Sequence, residues 1–238
     1  MAQRQEADWI RADHADEYLF AAAHHLARAA TKPTARLLPP PSVSATLYCA
    51  FAAEAYVNAA LIRVLGEAEY EPLSRMPVRS KYFLAPWLLA FEDRFTEGEP
   101  ALDRVDELFR ARNRLVHAQP ERVYYRREDE DPGPEPRVLP QLGDVARWLA
   151  ATADAVCRIA RSHAELQEME RIAGPLSEIE PLLVRFDPDR DAEELGRRVR
   201  SIGEKRIRAD NEDFLEEDEL DELIDGQDPD WDLHGLGE

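Results

Sequence analysis

Apolar residues recur at helical intervals along most of this chain, and the intervals divide it into elements. Trp9, Ala12, Leu19, Ala23 and Leu26 supply the apolar positions of a first helix over 8–30. A proline-rich break, KPTARLLPPP, follows, after which Ser42 or Ser44 is placed to cap a second helix running to about Leu65. The stretch ATLYCAFAAEAYVNAALIRVL in that second helix is apolar almost all round, which predicts a central helix rather than a surface one. Residues 81–95 read as a third helix, with Pro86 tolerable near its first turn or breaking it there. Gly98 and Pro100 separate it from a fourth, over about 101–118, which Pro120 ends.

The remainder continues in the same manner. Residues 121–140 carry VYYRR, an acidic run and DPGPEP, the composition of a long loop or short hairpin. A long helix is expected from 144 to about 172, ended by Gly174 and Pro175, and a shorter one near 192–208. The tail NEDFLEEDELDELIDG can form an acidic amphipathic helix through Phe214, Leu215, Leu220 and Leu223. There is no internal repeat and no Gly-rich phosphate loop. The pattern predicts an all-α, up-and-down helical bundle over 1–172. A small helical extension over 173–208 and an acidic tail over 209–238, disordered or partner-binding, complete it.

Polar residues that interrupt the apolar stripes carry the chemistry. In LFRARNRLVHA, Val105, Leu108, Phe109, Leu115 and Val116 share one face, with Arg112 near its middle. Asn113 and His117 lie i, i+4 along one edge of that face. The central helix has its own interruptions, Glu54 and Asn58, also i, i+4. An unpaired buried carboxylate costs several kcal/mol. The spacing therefore predicts that these two helices pack together and that Glu54 and Asn58 hold Arg112, whose planar fork suits a carboxylate. Such a pair can be a purely structural salt bridge, and a histidine near a helix C-terminus can be a simple cap.

Composition sharpens where the chemistry sits. The 238 residues are 44% hydrophobic and 33% charged, with a mean hydropathy of -0.53, enough for a real core in a soluble chain. No uninterrupted apolar run approaches the roughly 18 residues of a spanning helix, and the N-terminus lacks a signal pattern, so neither membrane nor export is expected. Cys49 and Cys157 fall inside apolar helices and read as buried free thiols of a cytoplasmic protein. The 27 arginines against 3 lysines suggest a GC-rich bacterial genome. The net charge of -19 argues against a general nucleic-acid coat, but residues 210–238 hold 14 of the 49 acidic residues and no Lys or Arg. The 35 acidic and 30 basic residues left nearly balance, and Arg104, Arg110, Arg112, Arg114, Arg122, Arg126 and Arg127 concentrate around the motif.

Arg112-Asn113-Arg114-Leu115-Val116-His117 resembles the R-x4-6-H motif of HEPN domains, in the form with Asn after Arg. The preceding buried helix with Glu54 and Asn58 is also similar to theirs. Chance alone yields roughly 0.7 R-x4-H matches in this composition, and a second match, Arg158 to His163, does occur. Requiring the Asn lowers that expectation to roughly 0.01. The resemblance covers about residues 5–172. Gln119 stands where one toxin branch has a tyrosine that receives a regulatory nucleotide, so that mode of control is not expected.

The resemblance implies a dimeric all-α domain and a metal-independent endoribonuclease of a toxin-antitoxin or antiphage system. In this chain His117 would act as acid or base, Arg112 would stabilise phosphate charge, and Asn113 would orient. Glu54 and Asn58 would support them, and Arg114, Arg122, Arg126 and Arg127 would contact the RNA backbone. Two motifs facing each other in a homodimer would form the cleft. An antitoxin or other regulatory protein is a possible partner, and neither cofactor nor metal is called for, since His24 and His25 diverge on their helix and His14 stands alone. A competing expectation is a non-catalytic HEPN-like dimer that binds RNA or protein, with Arg112-Glu54 as a structural pair. The acidic tail is either solubilising or an autoinhibitory mimic of nucleic acid.

Overall fold

The computed structural model describes residues 2–31, 40–88, 94–117, 140–161 and 179–211. Its elements are α1 (Ala2–Thr31), α2 (Pro41–Leu65), α3 (Glu67–Tyr70), a 3-10 turn (Glu71–Leu73), α4 (Val78–Leu88), α5 (Pro100–Val116), α6 (Leu142–Arg161), α7 (Glu180–Val184) and α8 (Pro188–Asn211). The described residues contain no strand, and the fold is all-α as the periodicity predicts.

Helix α2 sits at the centre, packed by α1, α4, α5 and α6. Its buried residues include Ala45, Cys49, Ala52, Ala53, Tyr56, Val57, Ala60 and Leu61, small residues at several azimuths that let neighbouring backbones approach closely. With a mean hydropathy of 1.3 over an 18-residue window, α2 is apolar enough to cross a bilayer by composition, which its Glu and Asn conceal from a search for uninterrupted runs. Here 61% of that window is buried inside the protein, the environment of a core helix. No serine caps it. Pro41 occupies the first turn, where its missing N–H is no loss, and the Ser42 carbonyl accepts the Thr46 hydroxyl at 2.8 Å. Gly66, at φ 91, ends the helix in a conformation other residues rarely adopt.

The neighbours are held on α2 by a few specific contacts. Tyr18 meets Tyr48 and Phe51 while His25 lies on Tyr48, so α1 runs antiparallel to α2. The buried Tyr82 hydroxyl of α4 donates to the Ala53 carbonyl at 2.8 Å. Cys49 Sγ and Thr152 Oγ1 approach to 3.4 Å between α2 and α6. Both cysteines are buried and neither forms a disulfide, and burial pushes the Cys49 thiol up to about 12.

The segment after residue 178 shares this core. Ile179, Leu183, Leu195, Val199 and Ile202 belong to the same buried cluster as α1, α2, α5 and α6. Helix α8 crosses α1 in antiparallel order, Gly196 facing Thr31 and Gly203 facing Phe20. A Cβ on Gly203 would lie 3.0 Å from Phe20 Cζ, so the ring occupies the space a side chain would need. Asp187 accepts the Asp189 N–H at 3.1 Å, and Asp191 accepts the Asp187 N–H at 2.9 Å, which caps α8 before residue 192, where the periodicity predicts its start. Arg190 and that backbone bond hold the Asp191 carboxyl down at about 2.

Three further boundaries differ from the sequence expectation. Helix α4 starts at Val78, contains Pro86 well inside it and is described to Leu88, so Phe95 lies in the connection beyond, where it is nonetheless 3% exposed. Helix α6 begins at Leu142, and residues 162–172 of the predicted long helix lie outside the described residues, as do the 121–139 loop segment and the tail beyond 211. Helix α5 buries Leu102, Val105, Leu108 and Ala111 and stops at Val116, which is 49% exposed. Its apolar face points as predicted, but core coverage ends at Ala111 and the last turn overhangs. Leu108→Ala is therefore expected to cost about 2–5 kcal/mol in urea denaturation, and Val116→Ala to stay within about 0.5 kcal/mol.

Candidate functional site

The overhanging turn of α5 presents the motif. Asn113, Arg114 and His117 are exposed and Arg112 is half-buried. Arg112 Nη1 donates to the adjacent Asn113 Oδ1 at 3.0 Å, and Arg112 Nε is shielded from solvent without a hydrogen-bond acceptor. His117 caps the helix, its N–H donating to the Asn113 carbonyl at 2.9 Å, so its backbone is fixed while its imidazole stands in solvent. Further up α5, Arg104 pairs with Glu107 at 2.6 Å and Arg110 with Asp106 at 2.5 Å. Arg112 and Arg114 have no carboxylate partner among the described residues. The uncompensated positive charge thus gathers at the helix end beside His117, although the basic residues are spread along the whole helix. Arg122, Arg126 and Arg127 lie outside the described residues.

The expected pairing of Arg112 with Glu54 and Asn58 is corrected. Helices α2 and α5 do pack together, but the cation that answers Asn58 is Lys81 of α4. Lys81 is 1% exposed, and its Nζ donates to Asn58 Oδ1 at 2.8 Å, to the Ser74 carbonyl at 2.8 Å and to the Tyr70 hydroxyl at 3.2 Å. It also lies 5.4 Å from the centroid of the Tyr70 ring. Burial lowers the Lys81 pKa and the nearby Glu54 carboxylate opposes that shift. The physical reason is reach and number of acceptors. The short α3 and 3-10 corner brings a carbonyl and a phenol to the α2 surface, and an ammonium with three rotatable donors satisfies them together with Asn58. Sequence reasoning missed Lys81 because it sits in a short, weakly patterned helix. One signal was available, since it is one of only three lysines in the chain and falls on the apolar face with Val78, Tyr82 and Ala85.

The accidental twin of the motif also has a structural post. Arg158 Nη1 contacts Glu99 Oε1 at 2.8 Å, both side chains about four-fifths buried, and its guanidinium lies 4.5 Å from the Phe95 ring centroid. This contact holds Glu99 below the usual carboxylate range and fastens α6 to the start of α5. The partly buried Arg–Glu bridge expected at Arg112 is thus formed by Arg158.

A second titratable cluster lies on α1. His25 stacks on Tyr48 at 5.3 Å, and burial, His24 and Arg28 together depress its pKa to about 4. Burial and Arg28 also lower His24. Among the described residues no three His, Cys, Asp or Glu side chains converge as a metal site requires. Comparison with protein-family models, curated proteins and solved structures returns no match.

Two outcomes follow from these clusters. Lys81→Met keeps the stem but strands three polar partners, and should cost about 2 kcal/mol in urea denaturation. His25 is neutral in both states above about pH 6.5. As pH falls, the unfolded chain takes up the proton first, so stability is lost between about 6.5 and about 4. Thermal melts across that range should show a flatter pH profile for His25→Leu than for the wild type.

Proposed function

We propose that this chain is a metal-independent endoribonuclease of HEPN type, with Arg112, Asn113 and His117 as its catalytic set. The observation that carries the reading is the last turn of α5, where an imidazole, an amide and two guanidiniums without a carboxylate partner among the described residues fall within six consecutive positions. A structural role for Arg112 depended on partners in Glu54 and Asn58, and Asn58 accepts from Lys81 instead. A half-buried arginine with no carboxylate partner among the described residues is suited to bind a phosphate oxygen.

The chemistry is internal phosphoryl transfer. The ribose 2'-oxygen attacks the adjacent phosphorus, its proton passes to a base, and the bond to the 5'-oxygen breaks as that oxygen receives a proton. The products are a 2',3'-cyclic phosphate and a 5'-hydroxyl. His117 serves as acid or base, its exposed imidazole able to give or take a proton at a nitrogen. Arg112 stabilises charge on the phosphorane oxygens, and Asn113, bonded to Arg112, orients the guanidinium. Arg114, with Arg122, Arg126 and Arg127 of the following segment, contacts the RNA backbone. Two chains pair so that their α5 ends face one cleft, which supplies both an acid and a base from a motif with one histidine. A toxin or antiphage setting in a bacterial cytoplasm, with an antitoxin or regulatory protein restraining the enzyme, belongs to the same reading. Glu54 and Asn58 act at a distance, by fixing α4 against α2 through Lys81.

The test is cleavage of mixed cellular RNA by purified protein in excess chelator. His117→Ala and Arg112→Ala should each lower the rate at least about 100-fold. Both variants should keep the wild-type urea midpoint to within about 1 kcal/mol, because neither side chain is paired in the core. Wild-type protein that leaves RNA intact under these conditions, at concentrations where it is dimeric, would sink the proposal in favour of a binding module.

A further inference from the structure

Carboxylates answer many of the described arginines, and the end of α5 departs from that habit. Arg104 and Arg110 of α5 meet Glu107 and Asp106, and Arg79, Arg147, Arg158 and Arg190 meet carboxylates elsewhere. Arg112 and Arg114 have none among the described residues. Val116, one turn beyond Arg112, is 49% exposed, and Leu115 is only partly buried. A phosphate alone leaves such a surface incomplete, because an exposed alkyl group gains nothing from it. An occupant that interleaves carboxylates with apolar side chains completes both parts.

Such a segment exists in the same chain. The 27 residues after Asn211 include no Lys or Arg. Among them LIDGQDPDWDL, residues 223–233, intersperses Asp225, Asp228, Asp230 and Asp232 with Leu223, Ile224, Trp231 and Leu233. Its reach is sufficient. Helix α8 has 24 residues and is therefore about 36 Å long. Even a return along that whole length takes only about eleven extended residues, which brings the chain to Glu222. Exposed ion pairs are individually weak. A tethered segment, however, meets its site at an effective concentration on the order of a millimolar, so a weak contact fills it.

We propose that residues 223–233 dock over the last turn of α5 in the same chain, with their aspartates on Arg112 and Arg114 and the Trp231 ring on Val116. The contact itself follows from charge and apolar complementarity, and its consequence rests on the ribonuclease reading. The docked tail occupies the two guanidiniums that an RNA phosphate needs, so it restrains cleavage. Rising ionic strength weakens the restraint by screening its exposed ion pairs.

The test is a disulfide trap in the full chain, Val116→Cys with Leu233→Cys, oxidised by glutathione disulfide. Cys49 and Cys157 are buried and stay out of the exchange. The intrachain disulfide should form at least about tenfold faster than in a control pairing Leu233→Cys with Val184→Cys, at a position 54% exposed. Salt at about 1 M should remove most of that advantage. Equal rates for the two pairings overturn the docking, and a disulfide that links two chains overturns it in favour of a second copy's tail. The functional arm carries Asp225→Asn, Asp228→Asn, Asp230→Asn and Asp232→Asn together in the full chain. RNA cleavage should then rise about tenfold at low salt and match the wild type at high salt. Wild-type cleavage that the neutralised tail leaves unchanged overturns the restraint. A trap that forms in protein unable to cut RNA keeps the docking and removes the ribonuclease reading instead.

Discussion

Because α2 is apolar on nearly every side, the rest of the chain must wrap it, and the few polar groups it carries must be answered by its neighbours. Helices α1, α4, α5 and α6 cover it. Small residues on α2 allow the close approach, and Tyr82 and Thr152 fasten two of those helices to it. Asn58 is answered from α4 by Lys81, the most completely buried charged side chain in the described core, with the Glu54 carboxylate near enough to favour its charge. The short corner of α3 and the 3-10 turn exists in the position that completes this ammonium's coordination. Helix α5 therefore joins the core with its apolar face and needs no ion pair there.

That arrangement frees the C-terminal turn of α5. Coverage ends at Ala111, and the following residues stand beyond the edge of the bundle. Arg112 still points along the buried direction, which shields one of its nitrogens, while Asn113 draws the rest of the guanidinium outward. The bond to Asn113 sets the guanidinium's direction, and no carboxylate among the described residues pairs with it.

The helical architecture was legible in the sequence because periodicity and proline breaks report directly on backbone geometry. The all-round apolarity of α2 located the centre correctly, and the azimuth of Arg112 on α5 was also correct. Axial extent was not legible. Periodicity says which way a side chain points, and says nothing of where a neighbouring helix stops, so Leu115 and Val116 were expected in the core that ends before them. The identity of the buried cation was hidden for a related reason. Glu54 and Asn58 declared that a cation was needed, and the pattern pointed to Arg112 while nothing in it marked Lys81. A tertiary corner of four-residue and three-residue elements, too short to carry a period, decided between them. The Arg158–Glu99 bridge escaped notice similarly, since the pattern marked Arg158 only as half of a chance match.

The burial of Cys49 has a practical meaning. With its thiol pushed up to about 12 and its sulfur against Thr152 between α2 and α6, fewer than about one molecule in a thousand carries a thiolate there at pH 8. A thiol reagent reaches this sulfur when α6 separates from α2. The rate of Cys49 modification therefore reads how often the bundle opens at its centre, and it does so in the native chain without any introduced label.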